Sequence, residues 1–200
     1  MATSTKTKSK VIGPSKEVKT LIDATEKGRR LFKLTKARVD NLRYWATELN
    51  SGKWDQTIEE LVSIKVTDYV TDKLLPAVDV NAKSNQFCCL GVACVLRDIK
   101  CIKNPNIRFS LRSSVYDLGG GIHVTNAVKS FFGLTAANGF EYEDLRDYLK
   151  EDNTAKIKEN SAEFLSNSTF AQMNDTGGWT FGDIAYYIRE FILKNSYISG

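Results

Sequence analysis

The chain has 200 residues, 42% hydrophobic and 10% aromatic, which is enough for one well-packed domain and too few for two comfortable ones. Its formal charge of +4 belongs to residues 1–20, where Lys6, Lys8, Lys10, Lys16 and Lys19 face Glu17 alone, so the rest of the chain sums to zero. That balance argues against a dedicated nucleic-acid-binding domain, which gathers Lys and Arg on one folded face, and makes nucleic acid an unlikely partner apart from weak contacts by the arm.

Residues 1–15 are rich in Ser, Thr and Lys and read as a disordered basic arm. From Lys16 the apolar residues Val18, Leu21, Ile22, Leu31 and Phe32, separated by charges, predict an amphipathic helix interrupted near Gly28. Val39, Leu42, Ala46 and Leu49 predict a helix over about 35–50, with Gly52 as its terminating glycine. Residues 57–86 have no clean period, and Pro76 breaks any helix there. A short helix opens at Asn85 or Cys88; Leu90, Val92, Ala93, Cys94 and Leu96 make it apolar nearly all round, hence buried.

Ile107, Phe109 and Leu111 alternate with Arg108, Ser110 and Arg112, the period of a half-buried strand. Gly119-Gly120-Gly121 then reads as a turn into a returning strand at Ile122-His123-Val124. Thr125 caps a helix through Phe132 that stops at Gly133. Two further helices are expected at 141–150 and 155–165. Phe181, Ile184, Ala185, Ile188, Phe191 and Ile192 specify a final helix, with Thr180 and Asp183 as a capping box. The expected fold class is therefore α+β: a helix-rich single domain over residues 16–200, with a small antiparallel sheet or hairpin. No run of about 18 apolar residues occurs and the N-terminus lacks a secretory apolar stretch. The expected location is the cytoplasm, with Cys88, Cys89, Cys94 and Cys101 as thiols.

Chemistry has few footholds. The cysteine spacing lacks paired CxxC knuckles and His123 is the single histidine, so no metal and no cofactor are expected. Cys88 at a helix start followed by His123 follows the chain order of papain-like hydrolases, with Asp117 or Asn126 available to orient the imidazole. A cysteine in Phe87-Cys88-Cys89-Leu90 also serves simply as a small core hydrophobe. The glycine triplet lacks the lysine and threonine of a phosphate-binding loop. Asn174-Asp175-Thr176-Gly177-Gly178 reads as a tight connection delivering Trp179 and Phe181 to the core. It also sets Asp175 beside an asparagine and a helix start, an arrangement that suits a polar ligand.

Two signatures, Phe87-Cys88-Cys89-Leu90-Gly91-Val92-Ala93-Cys94 and Asn174-Asp175-Thr176-Gly177-Gly178-Trp179-Thr180-Phe181-Gly182-Asp183-Ile184-Ala185-Tyr186-Tyr187-Ile188, resemble those of a family of small phage and prophage proteins. Trp45-Ala46-Thr47-Glu48-Leu49-Asn50-Ser51-Gly52-Lys53-Trp54-Asp55-Gln56 is similar to that family's opening pattern. Val124-Thr125-Asn126-Ala127-Val128-Lys129-Ser130-Phe131-Phe132-Gly133-Leu134 is similar to its middle helix. The thirty or so residues after Gln56 read as an insertion. The resemblance implies a phage accessory protein in the host cytoplasm and assigns no catalytic residue.

The expected function is non-enzymatic binding of a host protein or a small nucleotide-like ligand, with a counter-defence role. Asn174, Asp175, His123, Arg108 and Arg112 are the candidate contacts. The alternative is a cysteine-dependent hydrolase or transferase using Cys88 and His123.

Overall fold

The computed structural model describes residues 11–58, 62–64, 85–97, 100–104, 107–112, 126–136, 139–140, 169–175 and 177–199. The expected turn at 119–121, the strand at 122–124 with His123, the cap at Thr125 and the helices at 141–150 and 155–165 lie outside them.

Helix α1 (Lys16–Ala24) starts at Ser15, whose hydroxyl accepts from the Val18 N–H, and buries Val18, Leu21 and Ile22. The expected continuation to Phe32 is corrected: α1 ends at Ala24, Gly28 takes φ +82°, and Phe32 belongs to strand β1 (Phe32–Leu34). Thr35 then caps α2 (Lys36–Leu49), which buries Val39, Leu42, Trp45, Ala46 and Leu49. Its C-cap is Asn50 rather than Gly52; the glycine keeps a left-handed φ of +68° in the turn beyond.

Strands β2 (Asp55–Gln56), β3 (Val62–Ile64) and β4 (Asn85–Phe87) form one small sheet, in which β4 runs parallel to β2 and antiparallel to β3. Cys88 is the N-cap of α3 (Cys89–Leu96). Strands β5 (Lys100–Asn104) and β6 (Ile107–Arg112) pair antiparallel, with an irregularity between Ile102 and Asn104. The strand read at 107–111 thus pairs with the segment before it. α4 (Asn126–Phe132) ends at Gly133, φ +76°.

Next come α5 (Phe170–Asp175) and α6 (Phe181–Tyr187). A π turn at Ile188–Ile192 and a 3₁₀ turn at Leu193–Asn195 continue α6 into β7 (Ser196–Ile198). The chain is therefore helix-rich with small sheets. The sheets are not all antiparallel, contrary to the expectation: β5 and β6 pair antiparallel, but β4 lies parallel to β2 and β7 parallel to β1, pairing Lys33 with Tyr197.

Aromatic packing holds these pieces together. Trp45 is fully buried; its ring lies 5.0 Å from Phe132 and 4.8 Å from Phe170, and its indole N–H donates to the Cys89 carbonyl at 3.2 Å. One side chain of α2 therefore touches α3, α4 and α5. The ring contacts continue from Phe170 to Tyr187, from Tyr187 to Trp179 and Phe191, and from Phe191 to Phe32. Truncating a buried ring of this kind costs about 3–5 kcal/mol.

The expected final helix is regular to Ile192, but it widens into the π turn after Tyr187. Tyr187 and Phe191, four residues apart across this transition, stack their rings at 5.5 Å and 17°.

The packed region also begins before residue 16. The backbone of Ile12 and Gly13 crosses α6 at Gly182, so closely that a Cβ there would lie 2.5 and 2.4 Å from their carbonyl oxygens. Ser15 N–H donates to Asp183 Oδ1 at 2.6 Å. Asp183 Oδ2 meanwhile accepts from the Thr180 N–H and hydroxyl, completing the capping box read from the sequence.

Candidate functional site

The two distant signatures meet at the start of α3. Cys88 has extended backbone angles, and its Sγ accepts from the Gly91 N–H at 3.3 Å, taking the place usually held by a Ser or Asp cap. Cys88 is 6% exposed and Cys89, Leu90, Val92, Ala93 and Cys94 are buried, as the all-round apolar pattern requires.

Asn174, 1% exposed, reaches this helix start from the C-terminal turn of α5. Asn174 and Asp175 thus sit on a helix rather than in the connection expected from the sequence; the connection itself begins after them. The Asn174 Oδ1 accepts from the Cys89 backbone N–H at 3.2 Å and from Gln56 Nε2 at 3.1 Å. Its Nδ2 donates to the Thr57 carbonyl at 2.8 Å and to Asp175 Oδ1 at 2.7 Å. A carboxamide has two acceptor sites and two donor hydrogens, and all four of Asn174's are used within the protein.

Gln56 extends the network. Its Nε2 also donates to the Trp179 carbonyl at 2.7 Å, and its Oε1 accepts from the Phe181 N–H at 3.0 Å. One glutamine on β2 therefore ties the start of α6 to Asn174 and, through it, to α3. The sequence reading placed Gln56 in the opening pattern without giving it a role. No local signal marks it, because its partners lie more than a hundred residues away.

The thiols are core groups in this arrangement. Cys89 Sγ donates to the Phe170 carbonyl at 3.4 Å. Burial first, then the neighbouring Cys88 side chain, pushes the Cys89 thiol well above its ordinary value, so it stays protonated. Cys88 and Cys89 are buried free thiols, as expected, and Cys94 is buried with them.

Chemically, the site resembles a closed helix start. A nucleophilic cysteine needs nearby N–H donors for the oxyanion that forms on attack. Here the Cys89 N–H and a Gln56 hydrogen are taken by Asn174 Oδ1, and the Gly91 N–H by the Cys88 sulfur itself.

Of the other candidate residues, His123 lies outside the described residues. Arg108 and Arg112 belong to β6, where Arg112 is the register partner of Lys100 on β5. Asp117 lies outside the described residues and Asn126 is exposed at the start of α4. Among the described residues, no cluster of three or more His, Cys, Asp or Glu could hold a metal ion, and no helix is long and apolar enough to cross a membrane. Comparison with protein-family models, with curated proteins and with solved structures found no match.

Proposed function

We propose that the protein is a phage-type accessory factor that acts by non-enzymatic binding of a host protein or a small nucleotide-like ligand in the host cytoplasm. The observation that carries this reading is the saturation of Asn174. Its carboxamide takes up the Cys89 N–H and a Gln56 hydrogen, so the shared signature residues act as an internal clamp joining α3, α5, β2 and, through Gln56, the start of α6. A buried polar network of this sort is worth keeping for the specificity it gives a fold, since a half-satisfied one is worse than an apolar core. Function then falls to the surfaces that the clamp holds in place. The phage setting is supported by the resemblance of the clamp's own segments, around Gln56, Cys88-Cys89 and Asn174-Asp175, to the phage and prophage family.

The alternative reading, a cysteine-dependent hydrolase or transferase, requires Asn174 to leave the donors it occupies.

The test is native mass spectrometry of the wild-type protein and of Cys88→Ser, each purified from the bacterial host. A binding protein keeps the same co-purifying mass in both, because Ser also caps the helix. A bare wild type together with a covalent acyl or glycosyl adduct on Cys88 would overturn the reading.

A further inference from the structure

The zero net charge beyond residue 20 hides an uneven distribution. Residues 26–43 contain Lys27, Arg29, Arg30, Lys33, Lys36, Arg38 and Arg43 against Glu26 and Asp40. The fold draws the first part of this run alongside the end of the chain. Gly28 N–H donates to the Lys194 carbonyl at 3.0 Å and Leu31 N–H to the Asn195 carbonyl at 2.7 Å. The buried Asn195 side chain accepts from the Arg29 N–H and donates to the Glu26 carbonyl. Lys33 and Tyr197 are register partners across β1 and β7, and partners in a parallel pair project to the same side of the sheet. Phe32 and Leu34 are buried, so Lys33 projects away from the core.

Arg30 stands out. It is the one non-glycine residue with positive φ among the described residues, at +56°, and its guanidinium lies 4.8 Å above the Tyr197 ring. Left-handed backbone costs an L-residue free energy that glycine avoids, and such an outlier points toward function when the surroundings hold it. Here Arg30 is exposed, so core packing does not account for the choice. Among the described residues Arg30, Lys33 and Lys194 form no ion pair.

We propose that Arg30, Lys33, Lys194 and Tyr197 form a contact surface for the phosphate backbone of single-stranded nucleic acid. Proteins that bind such strands without sequence preference combine cations that follow the backbone with aromatic side chains among them. An acidic protein face would need the cations but not the ring. Tyr197 orients the Arg30 guanidinium by stacking, leaving its N–H edges for phosphate oxygens.

The test uses fluorescence anisotropy with a labelled single-stranded oligothymidylate of about 20 nucleotides, titrated at two potassium chloride concentrations. The full chain is expected to bind more weakly as salt rises. Arg30→Gly combined with Lys33→Gln is expected to weaken binding about 10-fold and to reduce the salt dependence by about two phosphate contacts. Arg30→Gly alone should melt no lower than wild type, because glycine removes the left-handed strain, so weaker binding by it is not a folding defect. A control with Lys6, Lys8 and Lys10 changed to Gln separates the arm from this surface and should keep most of the affinity. Absence of binding by the full chain, unchanged binding by the double variant, or loss of all binding in the arm control would each overturn the proposal.

Discussion

Asn174 Oδ1 accepts a hydrogen bond from the Cys89 backbone N–H at 3.2 Å across 85 residues of sequence, so a side chain of α5 satisfies a donor at the start of α3. That single contact joins the two segments that the sequence marks out in one buried network.

Removing the Asn174 side chain leaves the Cys89 N–H, one Gln56 hydrogen and the Thr57 carbonyl without this partner. Buried groups left unsatisfied cost about 1–3 kcal/mol each. Asn174→Ala is therefore expected to destabilise the protein by about 3 kcal/mol or more, read as a lower urea midpoint. Gln56→Ala should act in the same direction and combine non-additively with it, since both belong to one network.

Cys88→Ser is expected to leave stability within about 1 kcal/mol of wild type, because a hydroxyl caps a helix at least as well as a thiol. Cys89→Ser differs: its buried thiol donates only weakly to the Phe170 carbonyl, and a hydroxyl there must be desolvated. Thermal melts of the two variants should separate, with Cys89→Ser the lower.

Gly182 lies under the backbone of Ile12 and Gly13. Gly182→Ala is expected to displace residues 11–15 and to expose them to limited proteolysis, although Ala is the better helix former by about 1 kcal/mol. Deleting residues 1–15 from both proteins should reverse the ranking and make Gly182→Ala the more stable. Proteolysis rates and melting temperatures of the four chains form the cycle that checks it.

Further along α1, Asp23 accepts from the Tyr186 hydroxyl and from the Lys19 ammonium. Burial, and then the bond to Asp23, raise the Tyr186 hydroxyl above its ordinary value. A folded-state value above the unfolded one means the stabilisation is complete below the unfolded value, near about 10, and is lost as pH rises through the folded value. The melting temperature of Tyr186→Phe is therefore expected to fall less than that of wild type between neutral and strongly alkaline buffer. For Asp23, burial raises the carboxyl, but the bonds from Lys19 and Tyr186 outweigh it and hold the group low. Its contribution is present above the unfolded value and disappears as pH falls through the folded one, so Asp23→Asn should flatten the acid side of the same profile.

Elements with a full apolar period were legible in the sequence. α2, the start of α6 and the strand at 107–112 lie where their patterns put them, and Thr180 with Asp183 forms the capping box. Helix α5 escaped because six residues do not complete two turns, which left Asn174 and Asp175 to be read by their turn propensity. β1 and β7 escaped for a different reason: three residues each, joined from opposite ends of the chain, they carry no local period. The site was legible as two segments and not as a network. The spacing of Cys88, Cys89 and Asn174 said nothing about Gln56 as the link between them, because its bonds to Trp179 and Phe181 arise only in the fold. Residues 1–20 account for the whole net charge, yet residues 26–43 are a basic run of their own, balanced by carboxylates elsewhere in the chain.

The measurement that tests the clamp most directly is the rate of iodoacetamide labelling at Cys88, followed by peptide mass spectrometry on native, urea-unfolded and Asn174→Ala protein. The closed helix start predicts slow labelling in the native chain, at least about 100-fold below the unfolded rate, and faster labelling when Asn174 is removed. Rapid labelling of Cys88 in the native wild type would contradict the account and return the cysteine to the role of nucleophile.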